Sequence, residues 1–136
     1  MTNKLQPKFE TVMIIDDNAI DLYISSRIIT KNNFGKKVLA YSAAEEALKY
    51  LQDHQDTITE LPQIIFVDIY MPMMSGFEFL QKYDQLPLAL KNHCKTYVLS
   101  STIDDDDIVR VRSDKNVLSF LVKPITKEFL DRITAD

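Results

Sequence analysis

The sequence predicts an open α/β fold in which a parallel β-sheet is covered by helices on both faces. Short apolar runs occur five times along the chain, and each run is almost continuously hydrophobic rather than alternating. Such runs are typical of strands buried on both faces, as in parallel sheets. Segments with apolar residues at helical spacing separate the runs. This strict alternation predicts five βα units joined by right-handed crossovers.

The five predicted strands are the apolar runs themselves. They cover residues 12–15 (VMII), 38–41 (VLAY), 64–67 (IIFV), 97–99 (YVL) and 117–122 (VLSFLV). Because none of these runs has a polar face, we expect all five strands to be buried between two layers of helices.

Each predicted strand is followed by a segment with helical periodicity. The predicted helices cover residues 19–30, residues 42–51, a segment that starts at Ser75 or Gly76 and ends at Tyr83, residues 104–112 and residues 126–133. Asn18 or the Asp before it can cap the first helix, and Ser42 with Glu45 predicts a capping box at the second. Residues 81–95 are polar and interrupted by a proline, which predicts a long connection after the third helix.

Length and composition restrict the functions that the chain can have. The 136 residues are 46% hydrophobic and 26% charged, which is ordinary for one soluble domain. We expect that domain at residues 11–136, after a flexible N-terminal arm at residues 1–10. One cysteine permits neither an intrachain disulfide nor a zinc cluster, so a cytoplasmic location is the default. A formal net charge of -4 disfavours direct nucleic-acid binding, and no apolar run is long enough for membrane insertion.

Reactive polar residues follow four of the five predicted strands. Asp16 and Asp17 come directly after the first strand, and Asp68 follows the third. Ser100 follows the fourth strand, and Lys123 follows the fifth. Because the carboxyl ends of parallel strands share one edge of a sheet, we expect these side chains to converge there.

The residue types at this edge favour a metal ion and a phosphoryl group. Three crowded carboxylates repel one another unless a cation lies between them, and Mg²⁺ prefers carboxylate and carbonyl oxygens. Lys123 adds a positive charge for an anion that bridges to the metal. The turn after the first strand, DDNAID, contains no glycine. Dinucleotide-binding and P-loop sites are therefore excluded, and the acidic residues disfavour a flavin site.

Taken together, these motifs resemble the receiver domain of bacterial two-component response regulators, in its single-domain, chemotaxis-type form. The motifs are MIIDDN, FVDIYMPMMSG, VLSS and FLVKP, and the similarity extends over residues 11–133. The resemblance implies a (βα)5 doubly wound fold, with a five-stranded parallel sheet in the flavodoxin-like order 2-1-3-4-5.

The resemblance also implies the chemistry of the site. Asp68 is expected to accept a phosphoryl group from a sensor histidine kinase or a histidine phosphotransfer protein. Asp16, Asp17 and Asp68 would hold Mg²⁺ together with the backbone carbonyl of Tyr70. Lys123 would neutralise charge on the transferred group. Such a protein is a phosphoacceptor that assists its own phosphorylation, not an enzyme.

Further residues are implied to sense the phosphorylation state. Ser100, rather than its neighbour Ser101, would bond to a phosphoryl oxygen, and Phe120 would turn into the space that Ser100 leaves. This change would alter a protein-binding face made of the fourth helix, the fifth strand and the fifth helix. Tyr70, two residues after Asp68, occupies a position that influences water access in this family, and its bulk predicts slow hydrolysis.

Two alternatives would use the same residues differently. A haloacid dehalogenase-type hydrolase also has an Asp nucleophile and Mg²⁺, but its motif needs a second Asp two residues later, where this chain has Tyr70. A phosphorylation-independent interaction domain would keep the fold alone. Crowded carboxylates have no purpose in such a domain, which disfavours it.

Overall fold

A computed structural model describes residues 6–102 and 104–135 of the chain. The strands are β1 (Phe9–Ile15), β2 (Gly35–Tyr41), β3 (Ile64–Asp68), β4 (Lys95–Ser100) and β5 (Val117–Val122). The α-helices of this part are α1 (Ala19–Lys31), α2 (Ala44–Asp53), α3 (Gly76–Tyr83), α4 (Leu88–His93), α5 (Asp105–Ser113) and α6 (Lys127–Asp131). All strand pairs are parallel, in the order β2-β1-β3-β4-β5. The predicted fold class and strand order are confirmed.

The sheet separates two hydrophobic cores. Met13 and Ile15 of β1 pack in the core that contains α2 and α3, whereas Val12 and Ile14 pack in the core that contains α1 and α6. All four side chains are fully buried. Successive residues of a strand point to opposite faces, so a strand covered on both sides must be apolar at every position.

An additional short helix, α4, lies in the long connection after α3. It begins directly after Pro87. Lys91 of α4 donates hydrogen bonds to the carbonyl (2.6 Å) and the carboxylate (3.4 Å) of Asp84, at the end of α3. The long connection was predicted and the helix was not, so the predicted fourth and fifth helices are α5 and α6. None of the helices in the described residues is both long and apolar enough to cross a lipid bilayer.

The two edge strands are less buried than predicted. Residues of β3 are all buried, whereas Leu118 and Val122 of β5 are 58% and 45% exposed. Several residues of β2 are also exposed. The prediction of burial on both faces is therefore wrong for β2 and β5, because an edge strand has a neighbouring strand on one side only.

Several elements begin or end a few residues away from their predicted bounds, and the starts of β1 and α2 are two of them. β1 begins at Phe9, which is buried against Phe34 with 5.0 Å between the ring centres. The folded domain thus starts before residue 11, and residues 1–5 of the predicted arm lie outside the described residues. Ala43 occupies the N-cap of α2, so Ser42 does not form the predicted capping box.

Candidate functional site

Four strand ends place polar side chains at one edge of the sheet. Asp68 and Ser100 are the last residues of β3 and β4, Asp16 directly follows β1, and Lys123 directly follows β5. These four strands are adjacent and parallel, so their ends lie side by side. The structure therefore brings these four residues to the same edge.

The ammonium group of Lys123 lies at the centre of the site. Its Nζ donates hydrogen bonds to Asp16 (2.8 Å), Asp68 (3.0 Å) and Asp21 (3.0 Å). These side chains are almost completely buried except for that of Asp21, which is 39% exposed. One positive charge thus faces three carboxylates.

Burial and hydrogen bonding have opposite effects on Asp68 and Lys123. Burial raises the pKa of the Asp68 carboxyl above its ordinary value, although hydrogen bonds from Lys123 and from the backbone amide of Tyr70 (3.1 Å) lower it in part. Burial by itself lowers the pKa of Lys123, but its hydrogen bonds to Asp16, Asp68 and Asp21 outweigh burial. The pKa of Lys123 is raised as a result, so its ammonium group is charged at neutral pH.

The turn after β1 orients Asp16 and starts α1. Asp16 Oδ1 accepts a hydrogen bond from the backbone amide of Asn18 (2.9 Å), and Asn18 Oδ1 accepts one from the amide of Asp21 (2.9 Å). Asn18 is the N-cap of α1, one of the two caps predicted. The first turn of α1 therefore starts beside Asp16 and brings Asp21 within reach of Lys123.

Asp16, Asp17 and Asp68, hereafter the carboxylate cluster, fit a hard divalent cation. One carboxylate oxygen of each residue lies within 4.8 Å of the other two. Asp17 is exposed whereas the other two are buried, so an ion bound here would keep contact with water on one side. Carboxylate oxygens and retained water molecules are the ligands that Mg²⁺ prefers.

Ser100 is buried and bonded within its own loop. Its hydroxyl donates a hydrogen bond to the carbonyl of Thr102 and accepts one from the Thr102 amide (3.3 Å). The carbonyl of Ser100 accepts a hydrogen bond of 2.8 Å from the amide of Lys123. The ends of β4 and β5 are therefore joined directly at the site.

Phe120 lies between the sheet and α5. It is opposite Val98 in the β4–β5 register and is half-buried in the core that contains α2 and α3. The guanidinium group of Arg112, on α5, lies 5.9 Å from the centre of the Phe120 ring. A movement of Phe120 would therefore change its contact with Arg112 of α5.

Tyr70 connects the loop after β3 to α5. Its backbone amide donates to Asp68, and its hydroxyl donates to the carboxylate of Asp107. The hydrogen bond to Asp107 raises the pKa of Tyr70 to about 12. Asp107 is itself buried and forms a capping box with Asp104 at the N-terminus of α5.

Gly76 allows α3 to start against the backbone at the end of β3. A Cβ atom at this position would lie 2.5 Å from the carbonyl oxygen of Asp68 and 2.5 Å from Cα of Ile69. The Gly76 amide donates a 3.0 Å hydrogen bond to the Ile69 carbonyl. Close packing, and not a positive φ, is the reason for glycine here.

Comparison with known protein families agrees with this geometry. Residues 12–134 match the model of the response regulator receiver domain. The chain belongs to this family. The matched range contains all five strand ends and every residue of the site described above, so this is a receiver domain of the two-component type, a signalling domain.

The receiver domain has relatives of very different size. It is 30% identical, over 96% of its length, to the hybrid signal transduction histidine kinase C of Dictyostelium discoideum, and it spans 10% of that protein. A two-component response regulator from Cytophaga hutchinsonii has a TM-score of 0.84 at 26% identity, over 91% of this chain and 92% of that one. The receiver domain of the histidine kinase CKI1 from Arabidopsis thaliana, solved in complex with Mg²⁺, shares the fold at 19% identity with a TM-score of 0.71, over 87% and 85% of the two chains.

Sequence reasoning missed two residues of the receiver domain's site. Asp21 lies in the first turn of α1, and Asp107 lies in the first turn of α5. A helix that follows a strand of a parallel sheet must start at the same edge where that strand ends. This relation could have placed both residues at the edge of the sheet where Asp68 lies, but not the direction in which their side chains point.

Proposed function

We propose that this receiver domain is a Mg²⁺-dependent phosphorylation switch. Asp68 accepts a phosphoryl group from the phosphohistidine of a sensor histidine kinase or a histidine phosphotransfer protein, and the phosphorylated domain changes its affinity for a protein partner. One observation carries the proposal: Lys123 bonds to both Asp68 and Asp16 in a buried site, beside the exposed carboxylate of Asp17. Such crowding of charged groups is typical of a functional site, and here it would serve to bind a phosphoryl group and Mg²⁺.

The transfer forms one bond and breaks another. A carboxylate oxygen of Asp68 attacks phosphorus while the P–N bond of the phosphohistidine breaks, and the histidine nitrogen keeps the bonding electron pair. The product is an acyl phosphate on Asp68. A carboxylate is already deprotonated at neutral pH, so the site needs no general base, and the other residues act by position and charge.

Lys123 is placed to stabilise the transferred group. Its ammonium group already contacts Asp68 Oδ2, and it can exchange a carboxylate partner for a phosphoryl oxygen in another charge-assisted hydrogen bond. The carboxylate cluster and the backbone carbonyl of Tyr70 would hold Mg²⁺. When bound, the ion supplies further positive charge to the phosphoryl oxygens.

Ser100 and Phe120 would carry the change to the partner surface. The Ser100 hydroxyl must leave Thr102 in order to bond to a phosphoryl oxygen, and Phe120 then moves inward and alters its packing against α5. We propose the face made of α5, β5 and α6 as the docking surface for a cytoplasmic protein. These elements expose several large apolar side chains, namely Val109, Leu118 and Val122. Such side chains fit a protein partner better than a nucleic acid.

Intact-protein mass spectrometry tests the proposal. The wild-type protein is incubated with acetyl phosphate in Mg²⁺ or in EDTA, beside Asp68→Asn. The control Asp56→Asn removes an exposed carboxylate from the connection between α2 and β3, at the opposite edge of the sheet. We expect one added phosphoryl group in Mg²⁺ for the wild type and the control, and none in EDTA or in Asp68→Asn.

Other results would support different functions. Phosphorylation of Asp68→Asn would show that another residue is the acceptor. A folded wild type that gains no phosphoryl group and does not bind beryllofluoride would favour the phosphorylation-independent interaction domain. Steady turnover of phosphate monoesters would favour a hydrolase.

A further inference from the structure

Tyr70 connects Asp68 to α5 through two different groups. Its backbone amide bonds to the Asp68 carboxylate, whereas its hydroxyl bonds to Asp107 on α5. β3 ends at Asp68, and the adjacent strand β4 leads into α5. The ring therefore extends from the segment between β3 and α3 to the N-terminus of α5, on the β4 side of Asp68.

Asp107 is held in place to receive this hydroxyl. It is 7% exposed, although residues 104–106 of the same acidic run are exposed. Its amide donates a 2.9 Å hydrogen bond to the carboxylate of Asp104. The oxygen that accepts the Tyr70 hydroxyl, Oδ2, also lies 3.5 Å from the Asp104 amide. The capping box of α5 and the Tyr70 contact thus share one carboxylate oxygen.

A second contact holds the N-terminal half of α5 against the start of α3. The guanidinium group of Arg110 lies 3.8 Å from the centre of the Phe77 ring on α3. Tyr70 lies near the start of the segment that joins β3 to α3, and Phe77 is the second residue of α3, just after that segment. The first two turns of α5 therefore contact this segment at Tyr70 and the start of α3 at Phe77, and the position of the Tyr70 ring depends on α5.

We propose that Asp107 is a positioning residue for the phosphoacceptor site: it holds the side chain of Tyr70, the residue whose amide bonds to Asp68, and so prolongs the life of the phosphoryl group. This inference rests on the proposed function. In hydrolysis, a water oxygen attacks phosphorus, the bond to the Asp68 oxygen breaks, and Asp68 leaves as a carboxylate while the water protons pass to the phosphate and the solvent. A Tyr70 ring that is held in one position, two residues after Asp68, restricts the directions from which water can attack. A partner protein that moves the N-terminus of α5 would break the hydrogen bond between Tyr70 and Asp107 and shorten the lifetime of the phosphoryl group.

Phosphoryl decay in a set of variants tests the inference. Each protein is phosphorylated with acetyl phosphate, transferred to Mg²⁺ buffer without donor, and followed by intact-protein mass spectrometry. The set contains Tyr70→Phe, Asp107→Ala, the double variant, and Asp107→Asn, which keeps one acceptor oxygen for the hydroxyl. The control Asp106→Ala removes the same charge from an exposed position in the same helical turn.

We expect Tyr70→Phe and Asp107→Ala to shorten the lifetime by similar factors of about threefold or more, because about 0.6 kcal/mol, the low end of what one hydrogen bond contributes, already gives a threefold change. The double variant should decay no faster than either single variant, because both remove the same contact. Asp107→Asn should recover part of the lifetime, and Asp106→Ala should decay as the wild type does. Wild-type decay in Tyr70→Phe, or effects that add in the double variant, would overturn the inference.

Hydrogen exchange of the unphosphorylated protein separates this inference from the proposed function. Tyr70→Phe leaves the capping box intact, but it should still speed amide exchange in the first turn of α5, because Asp107 loses a partner. Unchanged exchange in a variant that phosphorylates normally would overturn the inference alone. A wild type that never acquires a phosphoryl group would overturn the proposed function and, with it, the effect of Asp107 on lifetime.

Discussion

Lys123 donates a 3.0 Å hydrogen bond to Asp68, although the two residues lie 55 positions apart in the sequence. Both side chains are buried, and the same ammonium group also bonds to Asp16 and Asp21. Without a metal ion, the site therefore has an excess of negative charge that one lysine offsets in part. Removal of the lysine and removal of a carboxylate should have opposite effects on stability.

Replacement Lys123→Met should destabilise the protein in metal-free buffer. It leaves two buried carboxylates without a cation, which should lower the free energy of unfolding by about 2 kcal/mol or more. Urea unfolding in EDTA measures the loss. The control Lys127→Met removes an exposed lysine that pairs with Asp131 on the surface, so it should change stability little. Equal losses in the two variants would contradict the central position of Lys123.

Replacement Asp68→Asn should stabilise the metal-free protein in a pH-dependent way. Burial raises the pKa of Asp68 in the folded chain above its ordinary value of 3.8. The charged form is then less favourable in the folded than in the unfolded state, so the wild type loses stability as pH rises from 3.8 through the raised pKa. Asp68→Asn should be more stable than the wild type at neutral pH, and this advantage should disappear below 3.8. Thermal unfolding in EDTA across this range checks the prediction, which fails if the variant is the less stable protein at neutral pH.

Mg²⁺ should stabilise the wild type through the carboxylate cluster. An ion that binds only the folded state raises the midpoint of thermal unfolding as its concentration increases. Asp17→Asn should need more Mg²⁺ for the same rise, whereas Asp56→Asn should match the wild type. EDTA should reverse the effect in every protein. An unchanged response of Asp17→Asn would show that the ion binds elsewhere.

Replacement Ser100→Ala should uncouple α5 from the site without blocking phosphorylation. Ser100 is buried beside Lys123, whereas Ser101 is exposed, so Ser101→Ala is the matched control. Hydrogen exchange with and without beryllofluoride measures the response of α5. We expect a change in the wild type and in Ser101→Ala, and little change in Ser100→Ala. The opposite pattern would identify Ser101 as the switch hydroxyl.

Replacement Gly76→Ala should destabilise the protein and impair phosphorylation. The new Cβ would lie 2.5 Å from backbone atoms of Asp68 and Ile69, which cannot move without shifting the acceptor, so we expect a loss of about 2 kcal/mol. In the control Gly35→Ala, the Cβ meets the side chain of Val12 at 2.7 Å, away from the site. Urea unfolding and phosphorylation by acetyl phosphate measure both effects. If Gly76→Ala is phosphorylated normally, the close packing of Gly76 on the backbone of Asp68 and Ile69 is not needed to position Asp68.

The main elements of the fold could be predicted because their hydrophobic patterns are long and unambiguous. Residues 12–15 of β1 and 64–67 of β3 form continuous apolar runs, which is typical of strands covered on both faces. The helix α4 was not predicted, since six residues are too few for a clear period. The exposure of β2 and β5 was missed because burial was predicted from each apolar run alone, although the predicted order 2-1-3-4-5 already places these two strands at the edges.

Strand ends could be located in the sequence, and this was enough to place much of the site. Asp16, Asp68, Ser100 and Lys123 were predicted at one edge because parallel strands end together. Asp21 and Asp107 reach the site from the first turns of helices. The direction of a side chain in the first turn depends on how the helix packs on the sheet. No local sequence pattern specifies this packing.

By itself, the sequence determined the class of the fold, the edge where the polar residues meet, and the residue types available there. Only the tertiary structure decided which atoms are paired. Lys123 and Asp16 are 107 positions apart, and Tyr70 and Asp107 are 37 apart. Local propensity and periodicity act over a few residues, whereas these distances follow from the packing of helices on the sheet. The partners of Lys123 and the contact that holds Tyr70 are therefore properties of the folded chain.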